Sequence, residues 1–295
     1  MGTRGQRWQS AVKLAFRYWY KEKEQGMPDI KIIIATTKKY RMPDDPIYMP
    51  LQVGAGMKKA ANTPYTKDNT GDNISEKNSS YCELTGMYWA WKNLKADYIG
   101  LVHYRRYFAS PESRGEDDPF NRIIGGEEVK RLLQKSSIIV PKKRRYYIET
   151  LQSHYAHTHY VEQLDETGKV IKELFPEYME SFDRVMTQTS GHMFNMMVMR
   201  KDLFDKYCEW LFTILPEVEK RYPEKNLGAY QGRYVGRIAE LIFNVWLDYQ
   251  ITSGSIPRYQ IQELPCVHIE TVNWIKKGGA FLAAKIFHKK YGHSF

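Results

Sequence analysis

Short apolar runs alternate with amphipathic stretches along most of the chain. Lys31–Ala35 (KIIIA), Tyr98–His103 (YIGLVH) and Ser137–Val140 (SIIV, ended by Pro141) are rich in β-branched residues and bounded by turn residues. That is the pattern of strands buried on both faces. His192–Met199 (HMFNMMVM) reads as a further, Met-rich strand. Leu84, Met87, Tyr88 and Trp91 recur at i, i+3, i+4 and i+7, one helical stripe, with Ser75 placed to cap its start. Glu127–Gln134, Lys201–Arg221 and Arg233–Tyr249 also read as helices, as does the polar stretch 146–186, with breaks at Gly168 and Pro176. Thr36–Pro50, with three prolines, and Ser110–Pro119 read as loops. Strands alternating with helices predict an α/β fold with a parallel or mixed sheet, in a single domain.

Composition narrows the partners. The net charge of +10 favours anionic ligands or surfaces, and no zinc finger, basic zipper or RNA-recognition motif points that charge at nucleic acid. The 22 Tyr and 7 Trp suit sugar or base stacking, although most such residues belong to cores and rims. Cys82, Cys208 and Cys266 are odd in number and far apart, with no CxxC pair, which favours a reducing compartment. Cys82 and Cys208 fall within apolar helical patterns. The absence of a 20-residue apolar run and of a secretory signal predicts a cytoplasmic protein. Residues 7–23 read as a basic, aromatic helix, suited to a membrane interface, to packing on the core or to ordering by a partner.

The sharpest chemical feature is His103-Tyr104-Arg105-Arg106-Tyr107-Phe108, just past an apolar strand. In open α/β sheets ligands bind beyond the carboxyl ends of strands, where His103, Arg105 and Arg106 would clamp a diphosphate. The same residues also fit a solvated basic turn, or arginines paired with carboxylates. No Asp-x-Asp occurs, and Asp44-Asp45 and Glu116-Asp117-Asp118 are the nearest substitutes, so a metal-free clamp is the better reading. Arg233, Arg237, Glu240 and Asn244 form a polar stripe in which Glu240 is a candidate general base; spacing alone slightly favours an Arg237–Glu240 surface pair. His154, His157 and His159 lack the donors that would complete a zinc site and suit acceptor binding or plain surface. His192 and Asn195 are candidates to face a cleft. Dinucleotide, NTPase and hydrolase signatures are missing.

Three segments together resemble a known family: KIIIATTKKYRMPDDPIYMPLQVGAG, DNISEKNSSYCELTGMYWAWKNLKADYIGLVHYRRYF and GHMFNMMVMRKDLFDKYCEWLF. They are similar to bacterial capsular polysaccharide glycosyltransferases, catalogued as domain of unknown function 4422, over about Lys31–Leu247. The resemblance implies a GT-A-like domain over 29–270, with a sheet of mostly parallel strands flanked by helices; the basic helical extension before it (1–28) departs from relatives, which tend to begin near the first strand, and a basic tail (271–295) follows. It further implies a UDP-sugar donor, with UDP-galactofuranose the first to test, and a lipid-linked oligosaccharide acceptor at the inner membrane face. The donor would meet Ala35, Thr36, Thr37 and Tyr40 after the first strand, Asp72, Asn73 and Glu83 near base and ribose, and Tyr104. Thr37 stands where the family's first motif carries a His. His103, Arg105 and Arg106 would neutralise the leaving diphosphate, with Glu240 as the base in an inverting displacement. His157, His192, Asn195, Arg233 and Arg237 would meet the acceptor, with no metal or other cofactor. The rival readings are a non-catalytic nucleotide- or glycan-binding protein and a peripheral membrane scaffold.

Overall fold

The computed structural model describes residues 28–113, 115–223 and 227–270. The expected N-terminal helix and C-terminal tail lie outside the described residues. The strands are β1 (Ile30–Thr36), β2 (Tyr48–Gln52), β3 (Thr66–Lys67), β4 (Tyr98–His103), β5 (Arg106–Phe108), β6 (Ile138–Pro141), β7 (Arg144–Arg145), β8 (Ser190–Gly191), β9 (Met197–Arg200), β10 (Ile261–Leu264) and β11 (Cys266–His268). The helices are α1 (Asn78–Tyr81), α2 (Leu84–Asn93), α3 (Gly126–Leu133), α4 (Leu151–Thr158), α5 (Val161–Leu174), α6 (Met179–Met186), α7 (Lys201–Arg221) and α8 (Tyr234–Thr252).

Nine strands form one mixed sheet along the path β10-β6-β9-β4-β1-β2-β3, in which only β9 opposes its neighbours. β5 folds back antiparallel on β4, and β11 pairs with β5. Residues of β1 alternate between two cores. Ile33 and Ala35 pack with Leu101, Met197, Phe204 and Ile242 under the large helices. Ile32 and Ile34 pack with Val102, Val198, Val129 and Leu133 on the side of α3. Burial on both faces explains why this strand reads as an unbroken apolar run. The fold is the α/β class expected, with a mostly parallel main path.

Several local expectations are corrected. Thr36–Pro50 is not all loop, because β2 begins at Tyr48 and runs beside β1. Pro50 is tolerated because β3 reaches only Leu51 and Gln52, so no strand lies opposite it on that side. Ser75 does not cap a helix; its hydroxyl donates to Asp68 and accepts from the Gly56 N–H. Cys82 is buried but interrupts the helix between α1 and α2, with φ of 53°. Gly168 does not break α5: a Cβ there would lie 3.2 Å from the Phe182 ring, so glycine allows α5 to meet α6 closely. Strand structure in His192–Met199 begins only at Met197, and the residues before it take an irregular path with functional consequences.

Candidate active site

The β4–β5 pairing sets the first part of the site. His103 and Arg106 lie opposite each other across an antiparallel pair, with only Tyr104 and Arg105 between them. Opposed residues share a face of the sheet, so His103 and Arg106 are brought together while Arg105 sits at the tip of the turn. His268 pairs with Arg106 on the other side, extending the row to three. Sequence reading passed over His268 because β11 is only three residues long.

The second part is the irregular lead-in to β9. Phe194 and Asn195 are consecutive non-glycine residues with φ of 79° and 51°. Such positions cost on the order of 1–3 kcal/mol each and concentrate at functional sites. Their polar contacts show what holds them. The Phe194 N–H donates to Glu240 Oε2 at 3.0 Å, and the Phe194 carbonyl accepts from His103 Nε2 at 2.6 Å. The Arg106 guanidinium lies over the Phe194 ring at 3.8 Å. Asn195 Nδ2 donates to Glu83 Oε1 at 2.7 Å and to the Gly236 carbonyl at 3.0 Å. One dipeptide thus gathers four residues from three parts of the chain: His103 and Arg106 of the β4–β5 hairpin, Glu83 and Glu240.

Electrostatics assign states to these groups. Burial pushes the Glu240 carboxyl above the ordinary glutamate range and the Glu83 charge adds to this, while the Phe194 N–H, Arg106 and Arg237 act the other way. Burial lowers His103, and the Arg106 and Arg233 charges add to the effect against Glu83 and the Phe194 carbonyl. A neutral imidazole that donates from Nε2 is a positioning group for Phe194 rather than a cation. Burial also lowers Arg106, opposed by Glu240 and Glu83, but a guanidinium remains charged. Arg237 makes no ion pair with Glu240 within 4 Å among the described residues. It donates instead to the Tyr230 carbonyl and lies 4.2 Å from the Tyr230 ring. Arg233 Nε points to Cys82 Sγ at 3.1 Å.

Three buried polar atoms here have no partner among the described residues: Arg106 Nε, Arg237 Nη1 and Asn195 Oδ1. Buried polar groups are otherwise satisfied almost throughout proteins, so orphans clustered in one cleft need an explanation. Two cationic donors and one amide acceptor fit an anionic ligand bearing hydroxyls.

The remaining sequence candidates divide. Tyr40, Tyr104 and Arg105 form a rim at the ends of β1 and β4. The two rings are 4.8 Å apart, Lys38 lies 5.4 and 5.8 Å from them, and Arg105 pairs with Glu270 at 2.7 Å, as Tyr40 does through its hydroxyl. Ala35 and Thr36 are buried beneath that rim, and Thr37 is exposed. Asp72 and Asn73 lie elsewhere. Asp72 bonds Asn93 and Tyr88 at the carboxyl end of α2, and Asn73 bonds its own loop, whereas Glu83 precedes the opposite end of α2. A ten-residue helix separates the two ends by roughly 15 Å. Glu83 therefore joins Glu240 rather than Asp72. His192 is buried with Nδ1 donating to the Pro141 carbonyl at 2.6 Å, and burial lowers its pKa to about 4, so it ties strands rather than facing the cleft. Asn244 completes that tie by exchanging hydrogen bonds with the His192 backbone. His157 and His154 both bond Glu149 in a separate cluster. Among the acidic doublets, Asp45 caps α3 through the Gly126 N–H, and Asp118 caps the Pro119 turn and pairs with Arg41. An open groove of ≈ 360 Å³ lined by Lys31, Tyr48, Pro50 and Tyr65, among others, lies at the start of β1 and β2, away from the cleft, and carries no carboxylate.

The fold and the family are shared with known proteins. A solved chain titled WbbM bifunctional glycosyltransferase, in its apo form, is 31% identical and superposes with a TM-score of 0.75 over 82% of this chain. The match covers 46% of that protein, so the chain spans about half its length. No curated protein matches the chain. Residues 31–251 match the family model described as domain of unknown function DUF4422, three quarters of the sequence, and the chain belongs to that family.

Proposed function

We propose that this chain is a glycosyltransferase that moves a sugar from a nucleoside-diphosphate donor to a growing cell-surface glycan. The observation that carries the proposal is the cleft at Phe194–Asn195, where a partly exposed carboxylate of raised basicity sits among buried guanidinium atoms without partners. The likeness to a chain titled as a glycosyltransferase supports the same reading. In this mechanism Arg106, with Arg233 and Arg237, neutralises the leaving diphosphate. Glu240 takes the proton from the acceptor hydroxyl as that oxygen attacks the anomeric carbon, and the carbon–diphosphate bond breaks with inversion. His103 and Asn195 hold the strained Phe194 junction, and Asn195 also meets the sugar. The Tyr40–Tyr104 rim receives the nucleotide.

Charge neutralisation is assigned to arginines because three of them converge on one cleft. UDP is the nucleotide to test first, UDP-galactofuranose the first donor, and a lipid-linked oligosaccharide of the capsule, exopolysaccharide or O-antigen type the acceptor class. The test is thermal shift with UDP, GDP and CMP, each with EDTA or Mn²⁺, followed by transfer assays with UDP-sugars. A UDP shift that survives EDTA, disappears in Arg106→Ala and is followed by turnover is expected. A shift that requires Mn²⁺ would overturn the arginine clamp, and binding without turnover by any donor would leave a nucleotide-binding protein.

A further inference from the structure

The segment from Lys142 to Ile148 (KKRRYYI) leaves β6 at the same sheet edge as the cleft and presents an unusual surface. Tyr147 is 80% exposed and Ile148 72% exposed, the two adjacent large apolar side chains most open to solvent in this part of the molecule. Four cations precede them, and none of Lys142, Lys143, Arg144 and Arg145 has a carboxylate within 4 Å among the described residues. Such a tip, apolar with a cationic collar, would ordinarily be a liability in water.

The loop is nevertheless firmly built. Arg144 and Arg145 pair with Gly191 and Ser190. The Tyr146 N–H donates to the Thr189 carbonyl at 2.8 Å, and the Ile148 N–H to the Tyr146 carbonyl at 2.7 Å. Tyr147 takes φ of 59°, a left-handed conformation uncommon for a bulky residue, at the tip where its side chain and that of Ile148 are exposed. At the root, Glu149 is 3% exposed and receives His154 Nδ1 at 2.8 Å and His157 Nδ1 at 2.6 Å. Burial pushes the Glu149 carboxyl up, but these two bonds more than offset it and hold it below the ordinary range. The Tyr146 ring rests on His154 at 4.2 Å with Arg144 4.9 Å away. Two of the three histidines singled out in the sequence, His154 and His157, thus anchor this loop, whereas His159 bonds Gln231.

We infer that residues 142–148 form a finger that docks on an anionic lipid bilayer, Tyr147 and Ile148 entering the headgroup boundary and the exposed Lys142 and Arg145 meeting acidic headgroups, with the half-buried Lys143 and Arg144 adding to the positive field. Charge complementarity selects this occupant: apolar side chains beside a polybasic collar match an interface that is apolar within and negative at its surface. Tyr146 lies within electrostatic reach of Glu240, so docking of the finger would hold the cleft near the membrane in a fixed orientation. Binding itself does not depend on the transferase reading; only the purpose of that orientation does.

The experiment is vesicle flotation of the full chain with phosphatidylcholine, with or without phosphatidylglycerol, at low and high salt. Binding is expected only with phosphatidylglycerol and should weaken with salt. Tyr147→Ser/Ile148→Ser should lower partitioning roughly tenfold or more, and Lys142→Ala/Arg145→Ala by roughly tenfold. No binding by the wild type, or unchanged binding by the serine variant, overturns the inference. So does lost self-association in the serine variant with vesicle binding intact, which would assign the tip to a second copy. Turnover on a water-soluble acceptor should be unchanged in both variants, so the finger and the transferase reading fail separately.

Discussion

Two buried polar centres, one around Asp68 and one around Phe194, differ in whether their hydrogen bonds close. Asp68 is fully buried and accepts from the Gly54 N–H at 2.9 Å, the Ala55 N–H at 3.0 Å, Thr85 Oγ1 at 2.7 Å and the Ser75 hydroxyl. A carboxylate has about four acceptor positions, so nothing is left for a ligand. The Phe194 centre holds a comparable number of polar groups but leaves Arg106 Nε, Arg237 Nη1 and Asn195 Oδ1 open, on a backbone in an unfavourable conformation. A closed network fixes the chain, here tying the loop after β2 to α2. An open, strained one is maintained by the surrounding structure and is completed by something else.

That contrast is most directly broken at its two carboxylates. Glu240→Gln keeps an acceptor for the Phe194 N–H while removing the base, so transfer should fall by about 10²–10⁴-fold with no loss of thermal stability. Asp68→Ala should do the reverse. The Gly54 and Ala55 N–H groups and the Ser75 hydroxyl would lose their acceptor, and Thr85 would keep only its 3.2 Å contact with the Cys82 carbonyl, lowering unfolding stability by about 3–5 kcal/mol in urea titration. The protein that remains folded should bind nucleotide normally. If Asp68→Ala abolished binding in the folded fraction, or Glu240→Gln destabilised the fold like Asp68→Ala, the division between closed and open centres would be wrong.

The sequence made the central architecture legible where one force dominates. The apolar runs of β1, β4 and β6 and the stripes of α7 and α8 are decided by burial, and they appear within a residue or two of expectation at most ends. Phe194–Asn195 was not legible. An apolar, Met-rich run signals a strand, and only tertiary contacts with Glu240, His103 and Glu83 hold it out of one. The short hairpin at Tyr104–Arg105 was missed for the same reason, because β5 exists by pairing and has little pattern of its own. His103, Arg106 and Glu240 were therefore found as residue types near a strand end, while their grouping, the company of Glu83 and the separation of Asp72 required the fold.

The two neighbouring arginines sharpen the comparison at smaller scale. Arg106 has an unpartnered buried Nε, whereas Arg105 is 48% exposed and paired with an equally open Glu270. Exposed ion pairs contribute only about 0–1 kcal/mol. Arg106→Ala should weaken UDP binding by roughly tenfold to a hundredfold in calorimetry, the range for a lost charged hydrogen bond. Arg105→Ala should change it by roughly threefold or less. Equal losses would show that the rim at Tyr40 and Tyr104, and not the open centre, carries the phosphate.

The smallest effect is a displacement along the pH axis. Glu240 acts as a base only when deprotonated, so activity should fall as pH drops through its pKa, which burial and Glu83 hold above the ordinary glutamate range. The acid limb of kcat/KM should accordingly lie higher than for an unperturbed carboxylate. Glu83→Gln removes the negative charge that raises Glu240 and keeps an acceptor for Asn195, so the limb should move to lower pH. Arg106→Met removes a charge that lowers Glu240, so the limb should move to higher pH even though turnover is weaker throughout. Opposite displacements from two residues that both adjoin the Phe194–Asn195 dipeptide cannot come from general loosening of the site. Displacement in the same direction would mean that the limb belongs to another group and that Glu240 is not the base.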